Sequence, residues 1–241
     1  MVEVLARAGM AANFVANAAI GGRLLWLAAR TRQLPELLLG AGCLGLGVGA
    51  VVVVVGTGML DTNPGLSRTL VYVGSALTSA GAGFSAVAAW RIFRPASSWA
   101  AALACLACAL LAACWLLLLQ AAGTDPTRSL FYRVGLAMRI GALLWLGAES
   151  LRYASALRRR RALGLAEPMM VVRFLLWGIA ATGGGVSLLV YAVTVALELK
   201  IDDLPAVMSA VGVIGLISGG SLALAFFPGA RLRSWLEAES S

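Results

Sequence analysis

LLLGAGCLGLGVGAVVVVVGT, residues Leu37–Thr57, runs for 21 residues without a charge. A helix of that length rises about 30 Å, the thickness of the hydrocarbon core of a bilayer. Every backbone polar group must be satisfied internally in lipid, so the stretch reads as a membrane helix. Pro35 and Glu36 stand just before it. A Pro suits a helix start, where its missing N–H has no partner to lose.

Six further apolar runs flank this one. The expected helices span residues 8–29, 37–57, 69–90, 98–121, 131–153, 169–197 and 204–227. The chain of 241 residues is 61% hydrophobic and only 12% charged, with a mean hydropathy of +0.90. A soluble domain is about 45–50% apolar and about 25% charged. The expectation is a single all-α domain over residues 1–241, a multi-pass bundle of seven transmembrane helices. The first residues form no basic leader with a cleavage site, so the first run is expected to stay as a signal anchor.

The net charge of +8 is a topology signal. A nucleic-acid surface would need a basic face on a soluble fold, and none is expected. Arg30, Arg32, Arg91, Arg94, Arg152, Arg158, Arg159, Arg160, Arg161, Arg231 and Arg233 fall on one side of the membrane. Arg7, Arg68, Arg128, Arg133 and Lys200 fall on the other. Eleven against five places the N-terminus out and the C-terminus in. Trp26, Trp90, Trp99 and Trp235 fall at the cytoplasmic interface as an aromatic belt. Lys200 is the sole lysine among 19 basic residues. With so much Ala and Gly, that bias points to a GC-rich bacterial genome and an inner-membrane location. Arg158, Arg159, Arg160 and Arg161 suit contact with anionic lipid headgroups or a cytoplasmic partner.

Small residues crowd helices 2, 3, 6 and 7, which allows close helix packing. Gly183–Gly185 is a candidate flexible point in helix 6. Leu24-Leu-Trp-Leu-Ala28 closes helix 1 and Leu143-Leu-Trp-Leu-Gly147 closes helix 5. Each is followed by a basic loop, a Pro and the next helix. This echo suggests a parallel 3+1+3 repeat. That plan looks like the one of the sugar-transporting SWEET and PQ-loop proteins, although the Pro-Gln pairs of the PQ-loop family are absent.

The chain has no His. Bis-His haem ligation, His-based zinc sites and His general bases are therefore excluded. Helix 7 has no Lys for a retinal Schiff base. Cys105 and Cys108 form a C-x-x-C, but Cys in apolar surroundings is usually inert packing. No carboxylate pair has acid–base spacing in the membrane, and no phosphate-cradling Gly loop or Ser elbow occurs. No enzyme, cofactor or metal site is expected.

The ionisable and amide groups inside the runs are the candidate polar site, because they are costly in lipid. They are Arg23, Glu36, Arg139, Glu149, Arg173, Asn13 and Asn17. Arg23 is expected to pair with Glu149 or Glu36, with Arg173 near. Arg139 has no acid near in sequence. It either snorkels outward or faces the bundle and binds an anionic group such as a lipid phosphate. Asn13 and Asn17 either bond across helices or line a cavity with Thr78, Ser79, Ser85, Thr182 and Ser187. Two function classes remain open. One is a non-enzymatic accessory, assembly or sensory subunit acting on other membrane subunits. The other is a carrier of a small molecule or lipid, with a polar intramembrane cavity.

Overall fold

The computed structural model describes residues 2–121, 125–197, 199 and 204–229, with side chains from residue 8 on. Seven helices follow one another: α1 (Val2–Thr31), α2 (Leu34–Gly58), α3 (Pro64–Phe93), α4 (Ser98–Gln120), α5 (Leu130–Arg161), α6 (Pro168–Ala196) and α7 (Pro205–Phe226). One 3₁₀ turn, Pro126–Arg128, precedes α5. Pro stands in the first turn of α2, α3, α6 and α7, where it is tolerated. Asn63 and Ser129 cap α3 and α5 by accepting from Leu66 N and Phe131 N. The α1–α2 turn is tight, and Arg32 enters the left-handed region at φ 55° to make it.

Six of the seven helices, α2 to α7, are long and apolar enough to cross a membrane. The chain is thus a multi-pass membrane protein. α1 has the length but not the hydropathy, because Asn13, Asn17 and Arg23 interrupt its apolar residues. The sequence placed the end of the fifth helix at residue 153. α5 instead continues to Arg161, two turns further. Ala154 and Leu157 are buried there, so packing carries the helix beyond its apolar run.

α1 packs on α2, α2 on α3, α3 on α5, α5 on α6, α6 on α7, and α7 on α1. The result is a closed ring of six helices, with α4 outside it against α3 and α5. The stripe Ala100, Ala104, Ala107, Leu111, Cys114 and Leu118 is the face α4 buries. Steps of four and three residues keep such a stripe on one side of a helix. The rest of α4 exposes Trp99, Leu103, Leu106, Leu110, Leu116, Leu117 and Leu119.

Missing side chains set the helix distances. A Cβ on Gly45 would lie 2.8 Å from Leu77 O, and one on Gly81 2.6 Å from Leu46 N. Gly49 meets Gly74 and Thr78, so α2 and α3 run antiparallel over most of their length. Gly9 lies against the Gly212 backbone, and Gly219 against Ala12 and Asn13. These contacts advance together, so α1 and α7 run parallel. Hydrophobic burial does not drive such association in lipid; close packing does. Gly183 and Gly185 belong to this set, packing on Ser218 and Leu144. α6 is unbroken through them.

Candidate functional site

The ring carries its charged groups at separate seams. Arg23 lies on α1, seven residues inside Arg30. Its Nη1 donates to Phe226 O at 3.1 Å, and its guanidinium lies 4.7 Å from the Phe227 ring centroid. Phe226 ends α7, whose last carbonyls lack helical partners and attract a cation. The expected Arg23–Glu149 and Arg23–Glu36 pairs are therefore not formed. A carbonyl takes the place of the acid. Arg68 does the same for α4, donating to Ala121 O at 3.1 Å and to Tyr72 Oη at 2.7 Å.

Glu149, buried on α5, accepts from Arg94 Nε at 2.7 Å. Arg94 follows the last residue of α3, so this ion pair joins α3 to α5 across 55 positions. Arg94 also lies 5.1 Å from the Trp99 ring centroid. Glu36 accepts from Thr31 Oγ1 and so braces the α1–α2 turn. Arg173 is exposed on α6 and makes no ion pair among the described residues. Arg158, Arg159 and Arg160 are exposed on the last turn of α5, with Arg161 half-buried beside them.

Asn13 and Asn17 bond to each other along α1. Asn17 Nδ2 donates to Asn13 Oδ1 at 2.6 Å and Asn13 O at 2.9 Å. Asn17 Cβ packs at the place where Gly47 of α2 lacks a side chain. Neither bonds across helices, and neither joins the hydroxyls of α3 in a cavity. Thr78 and Ser85 instead donate to Gly74 O and Gly81 O of their own helix. A short polar side chain on a helix meets its own i−4 carbonyl first.

Arg139 is the deepest charge. It is 5% exposed on α5. Its guanidinium lies 5.5 Å from the centroid of Tyr132, two turns nearer the start of the helix. Helical side chains lean toward the N-terminus, and this one passes Gly135 on the way. A Cβ on Gly135 would lie 3.5 Å from both Arg139 Nη2 and Cys114 Cβ of α4. Tyr132 Oη is 3.2 Å from Tyr191 Oη of α6. Arg139 Nε is buried without a hydrogen-bond partner. No carboxylate pairs with Arg139 among the described residues. An Arg near the centre of a membrane helix costs about 2.5–3.5 kcal/mol on insertion scales. A cation over an aromatic face recovers about 0.5–2 kcal/mol of that. Arg139 thus leans toward the helix start, as snorkelling requires, but within the protein.

The sequence reading missed Tyr132, Tyr191 and Arg94. Tyr132 carried a signal: it stands seven residues before Arg139, on the same helix face. Tyr191 and Arg94 carried none, since their partners are 59 and 55 residues away.

Near the ends of the helices that carry Arg94 and Arg158, the ring is filled. Phe93, Tyr153, Phe174 and Trp177 stack at centroid distances of 4.7–6.1 Å. Trp177 packs against two core clusters, one of Ala16, Ile20, Leu24, Ala180 and Leu222 and the other of Ala89, Leu146 and Ala181. It therefore bridges the two sides of the ring. Trp26, Trp90 and Trp99 share this end, each under an Arg at 3.8–5.1 Å. An apolar crevice of about 300 Å³ lies among α5, α6 and α7, lined by Leu151, Ile179, Val186, Ile214 and the hydroxyls of Thr182 and Ser218. Cys105 is exposed on α4, and Cys108 lies 3.8 Å from Gly83 O. Lys200, Arg231, Arg233 and Trp235 lie outside the described residues, as does the side chain of Arg7.

No protein-family model matches the chain. Comparisons with curated proteins and with solved structures found no match either.

Proposed function

We propose that this chain is a non-enzymatic accessory, assembly or sensory subunit that works through helix–helix contacts with other membrane proteins. One observation carries the reading: the intramembrane polar groups are dispersed. A carrier gathers such groups around one cavity. Here the Asn13–Asn17 pair, Arg23, Glu149 and Arg139 occupy four separate contacts. Trp177 fills the ring where a cytoplasmic opening would be needed. Apolar residues stand exposed along α4, ready to meet lipid or a partner helix.

The finer topology belongs to the same proposal. α1 is the seventh span, shielded on two sides by α2 and α7. The N-terminus is outside a bacterial inner membrane and the C-terminus inside. Arg158, Arg159, Arg160 and Arg161 sit against anionic lipids there. A parallel repeat is supported by the ring order. Exchanging α1, α2 and α3 for α5, α6 and α7 maps the α7–α1 contact onto the α3–α5 contact, and both are parallel.

Native mass spectrometry on protein extracted gently from its own membrane is the test. The expected species is the chain bound in fixed ratio to a second membrane protein. A lone chain that moves a retained small molecule across reconstituted vesicles would overturn the reading.

A further inference from the structure

We propose that Arg139, with the hydroxyls of Tyr132 and Tyr191, binds a phosphate group. The argument starts from donors and acceptors. The guanidinium carries five N–H donors and no acceptor. Its Nε–H is buried and unbonded. The two hydroxyls hold two protons, and their mutual contact at 3.2 Å uses one of them. Neither hydroxyl donates to any other described acceptor, so one O–H is spare. The nearest titratable neighbours of Arg139 are Tyr132, Tyr191 and Cys114, all neutral in their ordinary forms. Arg139 bonds to Tyr132, and Asp125 acts on Tyr191 from the turn before α5. Arg139 itself pairs with no carboxylate among the described residues, and its Nε–H stays unbonded. An anion supplies what it lacks.

The shape of the donor set selects the anion. A guanidinium fork matches two oxygens of a phosphate better than a spherical ion. Depth points the same way. Arg139 stands nine residues after Leu130, so its Cα is about 13 Å along the helix. Its side chain then returns toward the helix start, past Gly135 to Tyr132. This brings the charge back toward the level of lipid headgroups. The missing side chain of Gly135 lets Arg139 Nη2 and Cys114 Cβ approach the α5 backbone there. The phosphate comes either from a phospholipid headgroup or from solution. The site does not rest on the accessory-subunit reading, and either can fail alone.

The test uses the full chain in mild detergent, with Arg139→Ala, Arg139→Lys, the double variant Tyr132→Phe/Tyr191→Phe, and Arg128→Ala as a surface control. Native mass spectrometry reads retained phospholipid. Thermal unfolding of delipidated protein reads added inorganic phosphate against chloride at equal ionic strength. One phospholipid retained per chain, reduced by about tenfold in Arg139→Ala and unchanged in Arg128→Ala, supports the site with a lipid as source. A saturable rise in Tm with inorganic phosphate, absent in Arg139→Ala, supports it with a soluble source. Should Arg139→Ala fail to fold, Arg139→Lys and the double Phe variant decide, since each keeps the ring and changes only donors. The absence of both retention and a phosphate-specific shift in the wild-type chain overturns the proposal. So does retention that every variant keeps.

Discussion

A Cβ on Gly81 would stand 2.6 Å from the amide nitrogen of Leu46, an atom that cannot turn aside. Gly81→Ala is therefore expected to push α3 off α2 and to lower stability by about 1–3 kcal/mol. Gly22→Ala, where nothing lies within 4 Å, should be neutral or slightly stabilising. Unfolding of the two variants in detergent separates the cases. Equal effects would mean that glycine is not setting this helix distance. Charges divide in the same way. Glu149→Gln leaves Arg94 without its acid at a seam where Glu149 is buried, and a loss of about 1–3 kcal/mol is expected. Arg23→Gln removes an exposed contact to a carbonyl, and a loss of under about 1 kcal/mol is expected. Thermal melts that rank the two in reverse order would refute this account of the charges. Arg23 also marks the limit of sequence reading. A charge inside an apolar run announces that it needs a partner. A main-chain carbonyl 203 positions away leaves no trace in residue type.

At the scale of the element, α4 gives the clearest contrast. Half of its buried stripe is Ala, and Ala100 and Ala104 are 0% exposed. Ala104→Leu is expected to cost about 1–3 kcal/mol by overpacking against α3 and α5. Leu106→Ala, on the far face, should change stability by no more than about 0.5 kcal/mol. Unfolding midpoints measured in the same detergent would settle the ranking. All seven helices were legible in the sequence, because long apolar runs have no other solution in lipid. Their ends were less so. Hydropathy stops at Tyr153, but helix α5 stops at Arg161, since a helix ends where packing and caps end. Close packing through glycine was legible as well. Gly183–Gly185 looks like a hinge along one chain and is a packing surface between three.

For the molecule as a whole, orientation is the property most open to measurement. In a variant with Cys43, Cys105, Cys108 and Cys114 replaced, a single cysteine at Asp61 is expected to react with an impermeant thiol reagent in intact cells. A cysteine at Arg159 is expected to react only after the membrane is opened. The reverse pattern would invert the proposed topology, and labelling of both in intact cells would remove one of α3, α4 and α5 from the membrane. Neighbour relations were beyond the sequence. Nothing in residue types says that α4 stands outside while α3 meets α5, because lipid and protein interiors favour the same apolar side chains.

The ring also has a clock in it. Ribosomes deliver α1 first and α7 last, and these two close the circle through Gly9, Gly212, Gly215 and Gly219. For nearly the whole of synthesis, α1 waits with Asn13 beside an empty seam. Arg23 waits for a carbonyl at Phe226 that has not yet been made. The helix that falls short of a membrane span in hydropathy is thus the one left longest without its full shelter. A nascent chain stopped before α7 would present that flank to chaperones and membrane proteases, and α7 covers it once made.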